Sequence, residues 1–506
     1  MEKSHKNLNK KILVWVDPNF LQFGITKFLQ KKYDADYFAV TDLNHHLQKS
    51  FMKQEIVNFK KIWHYWDESF KTQKIDLEYL TNFEAKYKIS LWMLVYSERL
   101  FLNYNPYYQF SSHEILQIIQ HDCKLFEKIL DDANPDFLLI NGVDFHRNYL
   151  FSEICKSRGI KVLMLFSSRL GYRCMISSGF DEFDKNLEIP VDNIPQKNLN
   201  ELNDYLKQYD KFTHSMSIKS GEGGYSLLYK IKTLFHWMSK TFDQKYRNTY
   251  DHYGITRCKV IKNQLSLMIK KYFRESFLLK NSIRSIPNEK FVFFPLQVEP
   301  ERNVLFGSPF YSDQLSIIEK IAKSLPVDYK LYVKEHPAME LKKWRKISNY
   351  KKILNLPNVN LIHTSVDSSE IIQKSSLVIT LNGTSGLEAS FYGKPSIVFS
   401  DVIYSNLSWV HRIRNLEDLP ISILNTIEKK IDVTELNNFV NKLITNTFFF
   451  DEFKIYGEIF TRIHSGFIVG DDISMIELNH YFEENKILFE QLVDEHLKKM
   501  EKSQKS

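Results

Sequence analysis

The sequence predicts an α/β protein built from two Rossmann-like, parallel-sheet domains facing a cleft, with helical insertions and a helical carboxy-terminal region. Three observations predict it. The chain has 506 residues, 43% of them hydrophobic, enough for a sizeable core but too long for a single one. Short β-branched apolar runs alternate with stretches of helical spacing, once before residue 180 and again after residue 287. The connections between them are short and punctuated by Gly, Pro and Asn, as right-handed parallel crossovers require.

Lys11–Val16 reads as a strand, Asp17-Pro18-Asn19 as its turn, and residues 20–33 as the following helix. A second unit starts at Asn134-Pro135-Asp136, with strand 137–141, loop Gly142-Val143-Asp144, a helix through Cys155 and strand 160–166 after Gly159. Residues 10–185 form the first domain on this reading, with an aromatic-rich helical insertion over about 50–130. Residues 186–286 are a polar linker followed by a basic amphipathic helical segment, ended by Ile286-Pro287-Asn288. Residues 287–425 form the second domain, whose strands read FVFFPL, KLYV, VNLI, LVITL and PSIVFS, and residues 426–506 are helices and a tail.

Composition narrows the function classes. The four cysteines are scattered without a CxxC pair, so neither a disulfide framework nor a thiolate zinc site is expected. The amino-terminal apolar run is shorter than a signal-peptide core, and no run of about 18 apolar residues occurs, so a soluble or peripheral protein is expected. The net charge of +7 is concentrated. Between Ser226 and Lys290 fourteen Lys or Arg face four Asp or Glu, a local +10, with aromatic and aliphatic residues interleaved. Such a segment suits an anionic membrane surface, where each basic residue contributes roughly 1 kcal/mol. Its plainer alternative is a pair of packed helices with a solvated basic face. Nucleic acid is not an expected partner, because no nucleic-acid-binding module accompanies the charge.

In parallel sheets, ligands bind beyond the carboxyl ends of strands, so the loops there come first. The segment Asn382-Gly383-Thr384-Ser385-Gly386, with Glu388 in the helix that follows, has the small residues and hydroxyls of a phosphate cradle; ordinary helix capping is the alternative. Lys334-Glu335-His336-Pro337 places an imidazole and an ammonium after a strand. Gln297-Val298-Glu299-Pro300-Glu301-Arg302 offers an amide, two carboxylates and a guanidinium, or simply a surface ion-pair cluster.

In this order, the three loops resemble the bacterial capsule polysaccharide synthesis family, which includes Kdo transferases. The resemblance covers about 291–404, is weaker over 10–180 and is not seen over 185–285. It implies a GT-B-like, twin-lobed glycosyltransferase. The His-Pro and Ser/Thr elements also look like those that hold cytidine monophosphate in bacterial sialyltransferases. By that resemblance His336 contacts donor phosphate, Thr384 and Ser385 complete the phosphate site, and Glu388 addresses the ribose. After QVE the Kdo transferases tend to carry further acidic residues, whereas Pro300-Glu301-Arg302-Asn303 stands here, so the donor is open between a CMP-Kdo-like sugar and a UDP- or GDP-sugar.

Transfer also needs a base for the acceptor hydroxyl. Asp144 is preferred, and Asp17, Glu98 and Glu299 are further candidates for the catalytic set; His146 also sits at a strand end. A simple turn at Asp17 and a helix cap at Asp144 are their plain alternatives. Arg169 and Arg173 are candidates to hold an anionic acceptor or reach donor phosphate. No DxD-like pair stands out at a strand end, so no metal and no cofactor beyond the nucleotide-sugar substrate is expected. The expected acceptor is a surface polysaccharide or lipid-linked glycan, reached from the cytoplasmic face of the bacterial inner membrane. A nucleotide-sugar 2-epimerase and a non-catalytic scaffold are the competing readings.

Overall fold

The computed structural model describes residues 10–67, 74–102, 104–179, 197–207, 235, 238–239, 254–339, 345–464 and 472–505. The linker and the first half of the basic segment lie largely outside them. The described strands form two sheets, one per lobe. In the first, β1 (Lys11–Val16), β2 (Asp36–Thr41), β3 (Lys61–His64), β4 (Phe137–Ile140), β5 (Lys161–Ser167) and β6 (Arg173–Ser177) are joined by β13 (Phe448–Phe449), in the order β13-β6-β5-β4-β1-β2-β3. The second runs β12-β11-β10-β7-β8-β9, from β7 (Phe291–Pro295), β8 (Lys330–Lys334), β9 (Val359–Ile362), β10 (Leu377–Thr380), β11 (Ser396–Val398) and β12 (Val410–Arg412).

All neighbours in the second sheet are parallel. In the first, β5-β4-β1-β2-β3 are parallel, while β6 pairs antiparallel with β5 on one side and with β13 on the other. This edge corrects the expectation of a wholly parallel domain. Residues 168–172 reverse the chain in a tight turn, with Arg169 at φ 66 and Gly171 at φ 56, and a turn that short can join only antiparallel strands. A second correction concerns the insertion over 50–130, which is not helical throughout: β3 lies in it and closes the other edge.

Strand order locates the site. The first chain segment winds outward from β1 through β2 to β3, then returns to the other side of β1 as β4 and β5. The second winds from β7 through β8 to β9, then returns beside β7 as β10. Each reversal opens a crevice at the carboxyl ends of the two central strands. Those ends carry Asp17 and Asn141–Asp144 in one lobe, and Gln297 and Leu381–Ser385 in the other.

Apolar burial holds this frame. One face of the first sheet is covered by the helix Leu21–Lys32 and by the final helices, with Phe20, Phe23, Phe28, Phe482, Phe489 and Leu492 in one core. The other face carries the helices Ser112–Ala133 and His146–Ser157. Ser112–Ala133 starts in a capping box between Ser111 and Glu114 and stops at Asn134, whose left-handed φ of 44 turns the chain into β4. A further cluster joins the lobes, packing Phe166, Leu170 and Met175 against Leu387, Phe391, Trp409 and Leu436. Arg173 serves this joint. Its guanidinium donates to Thr447 Oγ1 (2.8 Å) and to the carbonyls of Ile444 and Thr447 (2.7 Å each), fixing the chain where it returns to the first lobe.

Candidate functional site

On the second lobe, β10, β7 and β8 are neighbours, so the loops after them stand side by side at roughly 4.8 Å per strand. Between the first two, Gln297's amide lies 3.1 Å from Thr380 Oγ1, which accepts from Gly383 N (3.1 Å). The Asn382 amide donates to the Asn303 carbonyl, and Tyr404 OH donates to the Gly383 carbonyl. A Cβ at Gly386 would sit 2.6 Å from Tyr404 Oη, so this packing tolerates only glycine there. Thr384 is exposed and donates to Glu388 Oε1 (2.6 Å), whose carboxyl burial pushes up from its ordinary range. The Ser385 hydroxyl is buried without a hydrogen-bond partner among the described residues, which leaves its bonding capacity for a ligand.

After β8, Ala338 N donates to His336 Nδ1 (3.1 Å), which puts the neutral ring's proton on Nε2. Lys334 is buried and donates to Ser368 Oγ (2.7 Å), so its ammonium supports the neighbouring helix start. Two acidic residues of these loops, Glu299 and Glu335, are structural. Arg345, fully inside, meets Glu335 Oε2 (2.6 Å) and Glu299 Oε2 (3.4 Å); Tyr350 donates to Glu335 (2.6 Å) and Gln314 to Glu299 (2.5 Å). Burial pushes the Glu299 carboxyl up despite Arg345. Glu299 is thereby a clamp between two loops, not a residue poised for a reacting hydroxyl. Sequence reasoning missed Arg345 and gave Glu335 no role; nothing local marks a guanidinium ten residues downstream as its partner.

On the first lobe, Asp17 is half-buried and accepts from Asn19 N (3.0 Å), so the turn expected at this position is present too. Its carboxyl is pushed up to about 6, chiefly by burial, with the Asp42 and Asp144 carboxylates adding to the rise while Asn19 and Asn141 oppose it. Asn141 is held by Tyr456 OH (2.7 Å) from the carboxy-terminal region, and Asp42 by Arg147 Nε (2.7 Å) and Trp66 Nε1 (2.9 Å). Asp144 does not cap the next helix; its carbonyl accepts from Arg99 (2.7 Å) and its carboxylate is largely exposed.

Glu98 and His146 fall away as cleft residues. His146 is completely buried, with Nδ1 2.6 Å from Glu98 Oε2 and Nε2 3.0 Å from Asp122 Oδ2. Burial alone would lower its pKa, but the two carboxylates outweigh it and raise it to about 9. The Glu98 carboxylate is committed to this interior triad and to the backbone of His146 (2.7 Å).

Two arginines, one from each lobe, cross between the sites. Arg302 Nε stands 4.0 Å from Asp144 Oδ1, and its path past β4 is open because residue 142 is glycine, whose Cβ would lie 2.8 Å from the guanidinium. Arg169 of the first lobe donates to the Asn382 carbonyl of the cradle. Tyr149 stacks on Phe306 beside them at 5.0 Å. A depression of about 570 Å³ lined by Lys10, Asp136, Arg158 and Lys161 lies at the amino-terminal ends of β1, β4 and β5, opposite these loops.

Two doubly wound lobes with their switch points linked in this way define a GT-B-like α/β protein. Residues 200–418 match the family described as capsule polysaccharide biosynthesis protein, a span that contains all three second-lobe loops and supports the resemblance they carry. The match also reaches back through 200–285, where the loops alone gave no resemblance. No curated protein matches the sequence. Among solved structures, the chain is similar to the KpsC β-Kdo 2,7-transferase of Thermosulfurimonas dismutans (13% identity, 72% of this chain and 89% of that one, TM-score 0.31). It is also similar to the UDP-GlcNAc 2-epimerase of Methanocaldococcus jannaschii (11%, 87% and 99%, TM-score 0.25) and to the amino-terminal domain of Candida albicans trehalose-6-phosphate phosphatase (10%, 92% and 99%, TM-score 0.31). Among the described residues, no helix is long and apolar enough to cross a membrane.

Proposed function

We propose that the protein is a glycosyltransferase that moves a sugar from a nucleotide-activated donor to a hydroxyl of a surface polysaccharide or lipid-linked acceptor. The observation that carries this reading is the meeting of switch points: Arg169 of the first lobe donates to the Gly/Ser/Thr turn of the second, and Arg302 of the second reaches toward Asp144, whose charge adds to the raised pKa of Asp17. The donor phosphate is held by the Gly383–Ser385 turn, by His336 Nε2–H and by Arg302, with Glu388 toward the ribose. Asp17 replaces Asp144 as the favoured base, because burial raises its proton affinity to about 6 while Asp144 lies largely in solvent.

In the transfer, the acceptor oxygen gives its proton to Asp17 and bonds to the anomeric carbon. The bond from that carbon to the phosphate oxygen breaks, and its electron pair leaves with the nucleotide. Fixed donors at the cradle stabilise the charge that develops there. No metal is assigned a part, so chelator treatment is expected to leave turnover unchanged. The basic segment over 226–290 holds the protein at an anionic membrane face on the cytoplasmic side.

The test is product analysis with CMP-, UDP- and GDP-sugars. Transfer that requires an added glycan or glycolipid acceptor is expected. Conversion of UDP-GlcNAc without acceptor would instead identify an epimerase.

A further inference from the structure

The helix Arg257–Asn281 spans from one lobe to the other, and its outward face is apolar. Toward its start, Asn263 Nδ2 donates to Tyr107 OH (3.4 Å) and the Lys259 ammonium stands 5.5 Å over the Tyr108 ring, both tyrosines belonging to the first lobe. Toward its end, Leu278 is buried in the second-lobe core and Arg274 Nη1 donates to the Met339 carbonyl (3.1 Å), three residues past His336. These anchors occupy one side of the helix.

At 3.6 residues per turn, Leu265, Met268, Ile269, Tyr272 and Phe273 fall together on the other side. They are 58, 64, 61, 71 and 59% exposed. A contiguous apolar stripe of this kind on an otherwise charged helix marks a contact surface. Its surroundings indicate the partner. The helix carries seven Lys or Arg against one acidic residue, Glu275, which Lys271 already pairs at 3.3 Å. A two-fold dimer through the stripe would bring two such basic helices together, and like charges oppose that. Lipid phosphates complement them.

We propose that this stripe is a membrane-docking face, with Leu265, Met268, Ile269, Tyr272 and Phe273 inserted at the headgroup–acyl boundary of an anionic bilayer and the flanking lysines on lipid phosphates. The inference deepens the proposed function and rests on its reading of a lipid-linked acceptor. Because the helix is anchored on both lobes beside the donor loops, docking through it sets the cleft at a fixed height above the bilayer.

The test uses the full chain with Ile269→Cys in a Cys258→Ser background, labelled with an environment-sensitive fluorophore; the other three cysteines are buried. Mixing with phosphatidylglycerol/phosphatidylcholine vesicles is expected to shift the emission to the blue, with at least tenfold less binding to pure phosphatidylcholine. Replacing Leu265, Met268, Ile269 and Tyr272 by Gln should reduce vesicle binding at least tenfold while nucleotide affinity in solution stays the same. An unshifted emission or equal binding to both vesicles would overturn the proposal. So would a dimer, seen by light scattering without lipid, that the Gln substitutions dissociate. Nucleotide titration of the unmodified protein is read separately: its failure would remove the enzymatic reading and leave the docking result standing.

Discussion

At the end of β1, burial pushes the Asp17 carboxyl up to about 6, above the usual carboxylate range. As the proposed base it must be ionised, so turnover should rise about tenfold per pH unit below 6 and level off above it. Asp17→Asn should lower kcat by about 10²–10⁴ while nucleotide affinity stays unchanged, a split readable by steady-state kinetics beside calorimetry. Asp144→Asn removes a like charge from Asp17's surroundings and should move the acidic limb to lower pH. An unmoved limb would show that another group sets it. The strand-end placement of Asp17, of the loop carrying His336 and of the Gly383–Ser385 turn was legible in the sequence because each comes just after an apolar strand. The roles of Asp42, Arg345 and Glu335 were not, since each depends on a partner that only the fold supplies: Arg147 lies 105 positions from Asp42.

Among the elements, the helix His146–Ser157 starts on a charge triad that reading by position mistook for cleft chemistry. A strand-end position predicts where a residue begins, not whether its side chain turns inward. Here Glu98 comes back from the insertion to meet His146 in the interior, and Asp122 approaches from the helix Ser112–Ala133. Glu98→Gln leaves a buried imidazolium with one partner and should cost about 3–5 kcal/mol in denaturant titrations. His146 is raised in the folded state, so its stabilising contribution is complete below about 6.5 and is lost as pH climbs to about 9. Glu98 is held below its ordinary range, chiefly by His146 acting against burial, and its contribution is instead lost on acidification. Stability of the unaltered protein should therefore fall more between pH 7 and 9 than that of Glu98→Gln, and equal slopes would contradict the triad's charge state. Long apolar strands such as β1, β5 and β7 could be read directly from their sequences. The two-residue β13 could not, because it exists only where Arg173 and the β6 edge hold it.

Over the whole molecule, the chain closes on itself: its last helices complete the core of its first lobe. Phe489 is fully buried there, stacked 5.9 Å from Phe28, and Phe489→Ala should cost about 3–5 kcal/mol even though it is far in sequence from the sheet it covers. A loss below 1 kcal/mol would mean that the carboxy-terminal helices are only loosely applied. Two lobes could be anticipated from the alternation of apolar strands with helical stretches; the contacts between them, Arg302 toward Asp144 and Arg169 onto Asn382, come from residues whose reach no periodicity reports. The proposed function requires one nucleotide phosphate to be gripped where the second lobe's neighbouring strands end. Calorimetric titration of the unaltered protein and of His336→Ala with CMP, UDP and GDP tests it most directly. One nucleotide should bind the unaltered protein at a single site and bind His336→Ala at least tenfold more weakly; no binding by any of the three, or equal affinity for both proteins, would contradict it.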